Sequence, residues 1–196
     1  MTTPMNAMAA AKSLEELLGQ AACAPEGICA LLGQMFNVRT TEVGLLRLEG
    51  RLLRFLYPTE LQAVGAIPLS SSAVAARTAS SGKAVLFNNF VNVRHNNIFE
   101  TMKLKGAEEG TAQTIQKLMS APILLVPGEV LGVVQISRKG ATPSAAGPDF
   151  GSPDLSRLQH ASRMLATLMP RMLSNENGYS GRLQFRSSAT SAGFAG

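Results

Sequence analysis

Residues 117–140 read KLMSAPILLVPGEVLGVVQISRKG, and within them Ala121–Val126 and Val130–Ser137 are short apolar runs rich in β-branched residues. Pro127-Gly128 between them is turn chemistry: proline presets one backbone angle, and glycine accepts the positive φ that a tight reversal demands. The stretch predicts an antiparallel hairpin.

Working outward, the upstream chain supplies more short strands. Val43–Leu48 and Leu52–Tyr57 flank a Glu49-Gly50 turn, and Pro58 stops the second run because it cannot donate to a ladder. Gly65–Leu69 and Ala84–Asn88 read as further strands. Between them Ser70, Ser71 and Ser72 are expected to cap a helix through Val74, Ala75, Thr78 and Ala79 that ends at Gly82. Residues 89–118 read as an Asn-rich loop with one or two short helices, interrupted at Gly106 and Gly110.

Helices bracket this strand-rich middle. Ser13 with Glu16 forms a capping box ahead of Leu14, Leu17, Leu18, Ala21 and Ala22. Pro25 opens a second helix whose apolar residues, Ile28, Leu31, Leu32, Met35 and Phe36, recur at helical spacing. After a loop, Ser152 is the expected cap and Pro153 the first residue of a last helix, with Asp154 favourable in its first turn. Leu155, Leu158, Ala161, Leu165, Leu168, Met169 and Met172 mark its inner side, and Pro170 is expected to bend or end it. Residues 1–12 read as a leader, 13–173 as one domain, and the Ser/Gly/Ala-rich 174–196 as a flexible tail. The order predicts an α+β fold on an antiparallel sheet.

Composition bounds the function. The chain has 196 residues, 45% of them hydrophobic, enough for a core and too apolar for intrinsic disorder. No run approaches the roughly 20 apolar residues that span a bilayer, so no membrane is expected. Two cysteines make no disulfide framework, which suits a cytoplasmic setting. The net charge of +5 arises in residues 37–105, with nine basic and four acidic side chains, but Arg47, Arg51 and Arg54 flank a predicted turn and Arg39 and Arg94 are scattered. Nucleic acid recognition wants a basic cluster or stripe, and none is expected here.

Taken together, AIPLSSSAVAARTASSGKAVLFNN (66–89), residues 117–140, GPDFGSPDLSRLQHAS (147–162) and the leading helices resemble a GAF domain, a small-molecule module of signalling proteins. The resemblance implies a GAF/PAS-like central antiparallel sheet of five to six strands. N- and C-terminal helices would pack on one face, with a pocket of short helices and loops on the other. The cyclic-nucleotide members carry Asn-Lys followed by Phe-x-x-x-Asp-Glu. Here Lys139, Phe150 and Asp154 match, while Arg138 and Leu155 depart. The matching residues suggest a structural tie: Lys139 paired with Asp154, and Phe150 plugging the corner.

Ser70, Ser71 and Ser72 offer hydroxyls and N–H groups at a helix start, suited to an anion as well as to ordinary capping. The stretch NNFVNVRHNNIFE (88–100) adds Asn88, Asn89, Arg94, His95 and Phe99, which the resemblance places at the pocket mouth. The plain alternative is a solvated loop. His95 and His160, far apart, make no zinc-site spacing, so no metal is expected. Cys23 and Cys29 fit burial better than catalysis, and no nucleophile elbow or phosphate loop is present, so an enzyme is not expected. The function expected is therefore a non-catalytic sensor in signal transduction. Its ligand would be a cyclic nucleotide or another small metabolite, anionic or nucleotide-like. A homodimer through the first and last helices and a separate output protein are the expected partners. The alternative is a dimerisation scaffold without a ligand.

Overall fold

The computed structural model describes Glu16 and residues 24–93, 114–126 and 128–187. The leader, the Ser13 capping box, Cys23, Arg94, His95, Phe99 and residues 188–196 lie outside the described residues.

Helix α1 (Pro25–Phe36) opens with proline in its first turn, where the missing N–H costs nothing, and closes on Asn37 in the left-handed region at φ 50°. A short 3-10 turn (Thr40–Glu42) leads into β1 (Val43–Glu49) and β2 (Leu52–Tyr57). Then come β3 (Ala66–Pro68), α2 (Val74–Ser81), β4 (Val85–Phe87), the long ribbon β5 (Thr114–Val126) and β6 (Glu129–Gly140), and α3 (Ser152–Ser187). The strands form one sheet in the order β3-β2-β1-β6-β5-β4, every neighbour antiparallel. The β5–β6 ribbon lies inside the sheet, and the two edge strands are three residues each, which limits edge pairing.

One face carries α1 and α3. Ile28, Leu32 and Phe36 of α1 meet Leu158, Leu165 and Met169 of α3 over Leu45, Met119, Ile123, Val134 and Ile136 of the sheet. Helix α2 covers the other face through Ala75, Ala76 and Ala79. The α+β architecture with helices on one face is thus as the sequence predicts.

Three boundaries differ. The ribbon strands extend beyond Ala121–Val126 and Val130–Ser137, because Ile115, Lys117, Arg138 and Lys139 stay in the ladder, with Gln116 bulged between Ile115 and Lys117. Lys117, only 4% exposed, donates to Gly147 O at 2.5 Å and pairs with the exposed Asp149 at 2.7 Å, so the buried ammonium keeps two partners. Helix α3 does not end at Pro170 but runs to Ser187, so the first part of the expected tail is helical. A proline removes one helical hydrogen bond, whereas adding residues to a formed helix needs no new nucleus. Finally, α2 starts after Ala73 without a side-chain cap; Ser71 Oγ only accepts from Ala73 N–H at 3.4 Å.

Candidate functional site

The register assembles a row of side chains on the face beneath α2. Gly44 of β1 stands opposite Gln135 of β6, Gln135 opposite Ser120 of β5, and Ser120 opposite Val85 of β4. Directly opposed residues share a face, so these four form one line across the sheet. Thr78 of α2, 1% exposed, hydrogen-bonds Ser120 Oγ at 2.8 Å, and Gln135 Nε2 donates to the same oxygen at 3.3 Å. One row to one side is apolar, with Leu46 opposite Val133 and Val133 opposite Pro122. The polar row therefore separates the cluster of Leu46, Leu53, Phe55 and Val133 from that of Val74, Phe90 and Leu118.

Buried hydroxyls are tolerated only when bonded, and Thr78 and Ser120 satisfy each other. Gln135 is half-buried, and its bond to Ser120 is its one side-chain hydrogen bond among the described residues. A primary amide has two N–H donors and a carbonyl acceptor, so one N–H and the carbonyl stay available. Beside it the sheet dips at Gly44. A Cβ there would meet Gln135 Cβ at 3.7 Å, and Leu46 Cδ1 and Phe55 Cε1 at 3.9 Å.

The residues expected from sequence are distributed differently. Ser70–Ser72 follow β3 and Asn88-Asn89 follow β4, at opposite edges of the sheet. Ser70 and Ser72 are exposed. Asn88 uses both ends of its amide on one backbone: its Nδ2 donates to Phe150 O and its Oδ1 accepts from Phe150 N–H, each at 3.0 Å. It is a tie to the start of α3 rather than a group aimed at the α2 face. Asn89 is exposed. Gly44, Thr78, Ser120 and Gln135 were not among the sequence candidates; polar residues at alternating positions of otherwise apolar strands are the signal that marks Ser120 and Gln135.

The signature residues form a corner between β6 and the helices, with partners other than those expected. Lys139 Nζ donates to Thr41 O at 3.1 Å, and its backbone N–H to Glu42 Oε1 at 2.6 Å. Asp154 instead accepts from Gly151 N–H at 2.8 Å and Arg157 Nη2 at 2.6 Å, bonding back to its own helix start. Phe150 is buried, and Arg138 takes the corner role: its guanidinium lies 4.7 Å from the Phe150 ring centre and donates to Phe36 O and Asn37 O. Those carbonyls end α1, where a cation complements the helix dipole. Burial lowers the Arg138 pKa, against the opposing charges of Glu42 and Asp154.

Glu42 is 7% exposed beside this corner. Burial alone would raise its pKa, but the Arg39 side-chain bond at 2.9 Å and the Lys139 and Arg39 backbone N–H groups prevail and hold it below the usual value. Ser137 Oγ donates to Glu42 O at 2.9 Å, linking the corner to the α2 face of β6. Cys29 is fully buried among α1 and α3 side chains, and burial, with Glu26, pushes its thiol pKa far up. Among the described residues no group of three or more His, Cys, Asp or Glu is placed to hold a metal, and no helix is long and apolar enough to cross a membrane.

The architecture has solved counterparts. The GAF domain of an Acinetobacter phosphoenolpyruvate-protein phosphotransferase superposes with a TM-score of 0.63 at 11% identity, covering 90% of this chain and 99% of that one. This is the GAF fold. An A. aeolicus GAF domain in an inactive state matches with a TM-score of 0.53 at 18% identity, over 82% of this chain and 93% of that one. Free methionine-R-sulfoxide reductase of Neisseria meningitidis, solved with its substrate, matches with a TM-score of 0.60 at 14% identity, over 89% and 96%. No family model matches the sequence, and no curated protein does.

The reductase corrects one expectation. The absence of familiar catalytic motifs had argued against an enzyme, but the same GAF fold houses one. Nucleophile elbows and phosphate loops belong to other folds, so their absence has no bearing on GAF chemistry; function resides in the site and not in the fold.

Proposed function

We propose that this chain is a regulatory GAF domain that takes a small ligand on the α2 face of its sheet and transmits occupancy to its helices. The observation that carries this reading is the polar row Gly44–Gln135–Ser120, with Thr78 above it, set into an otherwise apolar face. A half-buried amide with bonding capacity left over has a use when a ligand completes its bonds. A cyclic nucleotide or another small metabolite is the ligand class proposed, and a separate cytoplasmic signalling protein the recipient. The route outward runs along β6: Gln135 faces the ligand, Ser137 holds Glu42, and Arg138 grips the end of α1 and Phe150 before α3.

The test is thermal denaturation of the full chain with a panel of nucleotides and small metabolites, followed by mass spectrometry of the recovered ligand. A saturable rise in melting temperature supports the reading, and the recovered mass separates binding from turnover. No rise with any member of the panel would sink it.

A second reading, homodimerisation without a ligand, is favoured by α3. At about 1.5 Å per residue its 36 residues span roughly 54 Å, of which the stretch from Leu155 to Met169 packs against the core. We propose that the remainder, with α1, pairs with a second copy. Light scattering across a concentration series checks this, and a monomer throughout would remove it.

A further inference from the structure

Gln135 is held where it can read a ligand rather than merely fill space. Its amide is anchored by Ser120, a fully buried hydroxyl that is itself fixed by Thr78, so the plane of the amide is restrained before anything binds. The anchor uses one N–H and, among the described residues, leaves a carbonyl acceptor and a second N–H. Next to it, glycine keeps the floor low at Gly44, and the Phe55 ring borders the same dip at 3.9 Å from where a Cβ would stand. Those five residues carry no charge.

Resting on the binding reading above, we propose that Gln135 is the specificity-determining residue, pairing with a donor–acceptor edge (a lactam, carboxamide or similar amide-like edge) of a flat, uncharged ligand group lying over Gly44 against Phe55. An amide edge meets another amide with two complementary hydrogen bonds. A carboxylate or phosphate placed there would set its oxygens against the Gln135 carbonyl, an acceptor facing acceptors. This departs from the anionic ligand that the serine run suggested.

The test is isothermal titration calorimetry on the full chain with uracil and nicotinamide as amide-edge probes, and benzoate and inorganic phosphate as anion probes. The amide-edge probes are expected to bind at least tenfold more tightly than the anions. Gln135→Leu is expected to weaken them tenfold or more while leaving the melting temperature within a few degrees, and Ser120→Ala to weaken them less, through a looser amide. Gly44→Val fills the dip and is expected to abolish binding. Because valine there could disturb folding, Gly44→Ala, whose Cβ sits at ordinary contact distance, provides a milder version with a several-fold loss. Unchanged amide-probe binding in Gln135→Leu, with loss in the Gly44 variants, overturns the role of Gln135 and leaves the pocket standing. Preference for benzoate or phosphate overturns it as well. Binding untouched by any of these variants, or no binding of an amide-edge probe to the unaltered chain, overturns the inference, and in the former case the ligand face with it.

Discussion

The face of the sheet under α1 and α3 is closed by apolar side chains from every central strand, forming a single cluster that reaches from Ile28 to Met169. The face under α2 has two smaller clusters with Thr78, Ser120 and Gln135 between them. The same strands build both, because alternate residues point to opposite sides. The contrast teaches where each kind of change is felt: the first face is stability, with no slack, while the second gives up apolar contact and gains groups that can recognise something.

The largest effect is expected at Gly132. A Cβ there would lie 2.1 Å from Leu46 O and 2.4 Å from Met169 Cε, so β1 and β6 must separate and the Met169 side chain must swing aside. Gly132→Ala is expected to cost about 3 kcal/mol or more, at the upper end of overpacking penalties, measured by urea unfolding. An unchanged midpoint would show that the helix-covered face has room to yield. Leu165→Ala, at a fully buried position in the same cluster, is expected to cost about 2–4 kcal/mol by the same measurement.

Glu42 tests the seam between the faces. Its lowered folded-state pKa means that its contribution is present above the unfolded carboxylate value of about 4.3 and is lost as pH falls through the folded value. Glu42→Gln is expected to cost about 2 kcal/mol at neutral pH, discounted because Arg39 is half-exposed, and to flatten the acid side of the stability profile. A parallel profile in the variant would assign the acid sensitivity elsewhere. The smallest effect belongs to the recognition face. Ser120→Ala removes the shared acceptor of Thr78 and Gln135 and is expected to cost about 1 kcal/mol, well below Leu165→Ala. Equal losses in the two would erase the distinction between the faces.

Much of this was legible beforehand. Leu52–Tyr57 matches β2 residue for residue, and Gly82 ends α2 in the left-handed region, because β-branched or aromatic runs between turn formers and a glycine after a short amphipathic stretch are local signals. The outer ends of the β5–β6 ribbon were not, since Gln116, Lys117, Arg138 and Lys139 look like loop residues until their carbonyl, carboxylate and ring partners are in place. Asn88, a candidate ligand amide by sequence, braces Phe150, a partner 62 positions away that no local pattern reveals. Glu42 has one local partner, Arg39, but its place in the corner rests on Lys139 and Ser137, nearly a hundred residues downstream.

Periodicity, turn chemistry and the spacing of apolar residues determined an antiparallel sheet braced by helices, because each depends on neighbours within a few positions. Which polar residues face which surface was decided by register: Gly44, Ser120 and Gln135 become one row only once β1, β6 and β5 align, and Thr78 joins it only when α2 crosses that face. A one-residue slip would turn Gln135 toward α1 and α3, and no stretch of sequence read alone contains that choice.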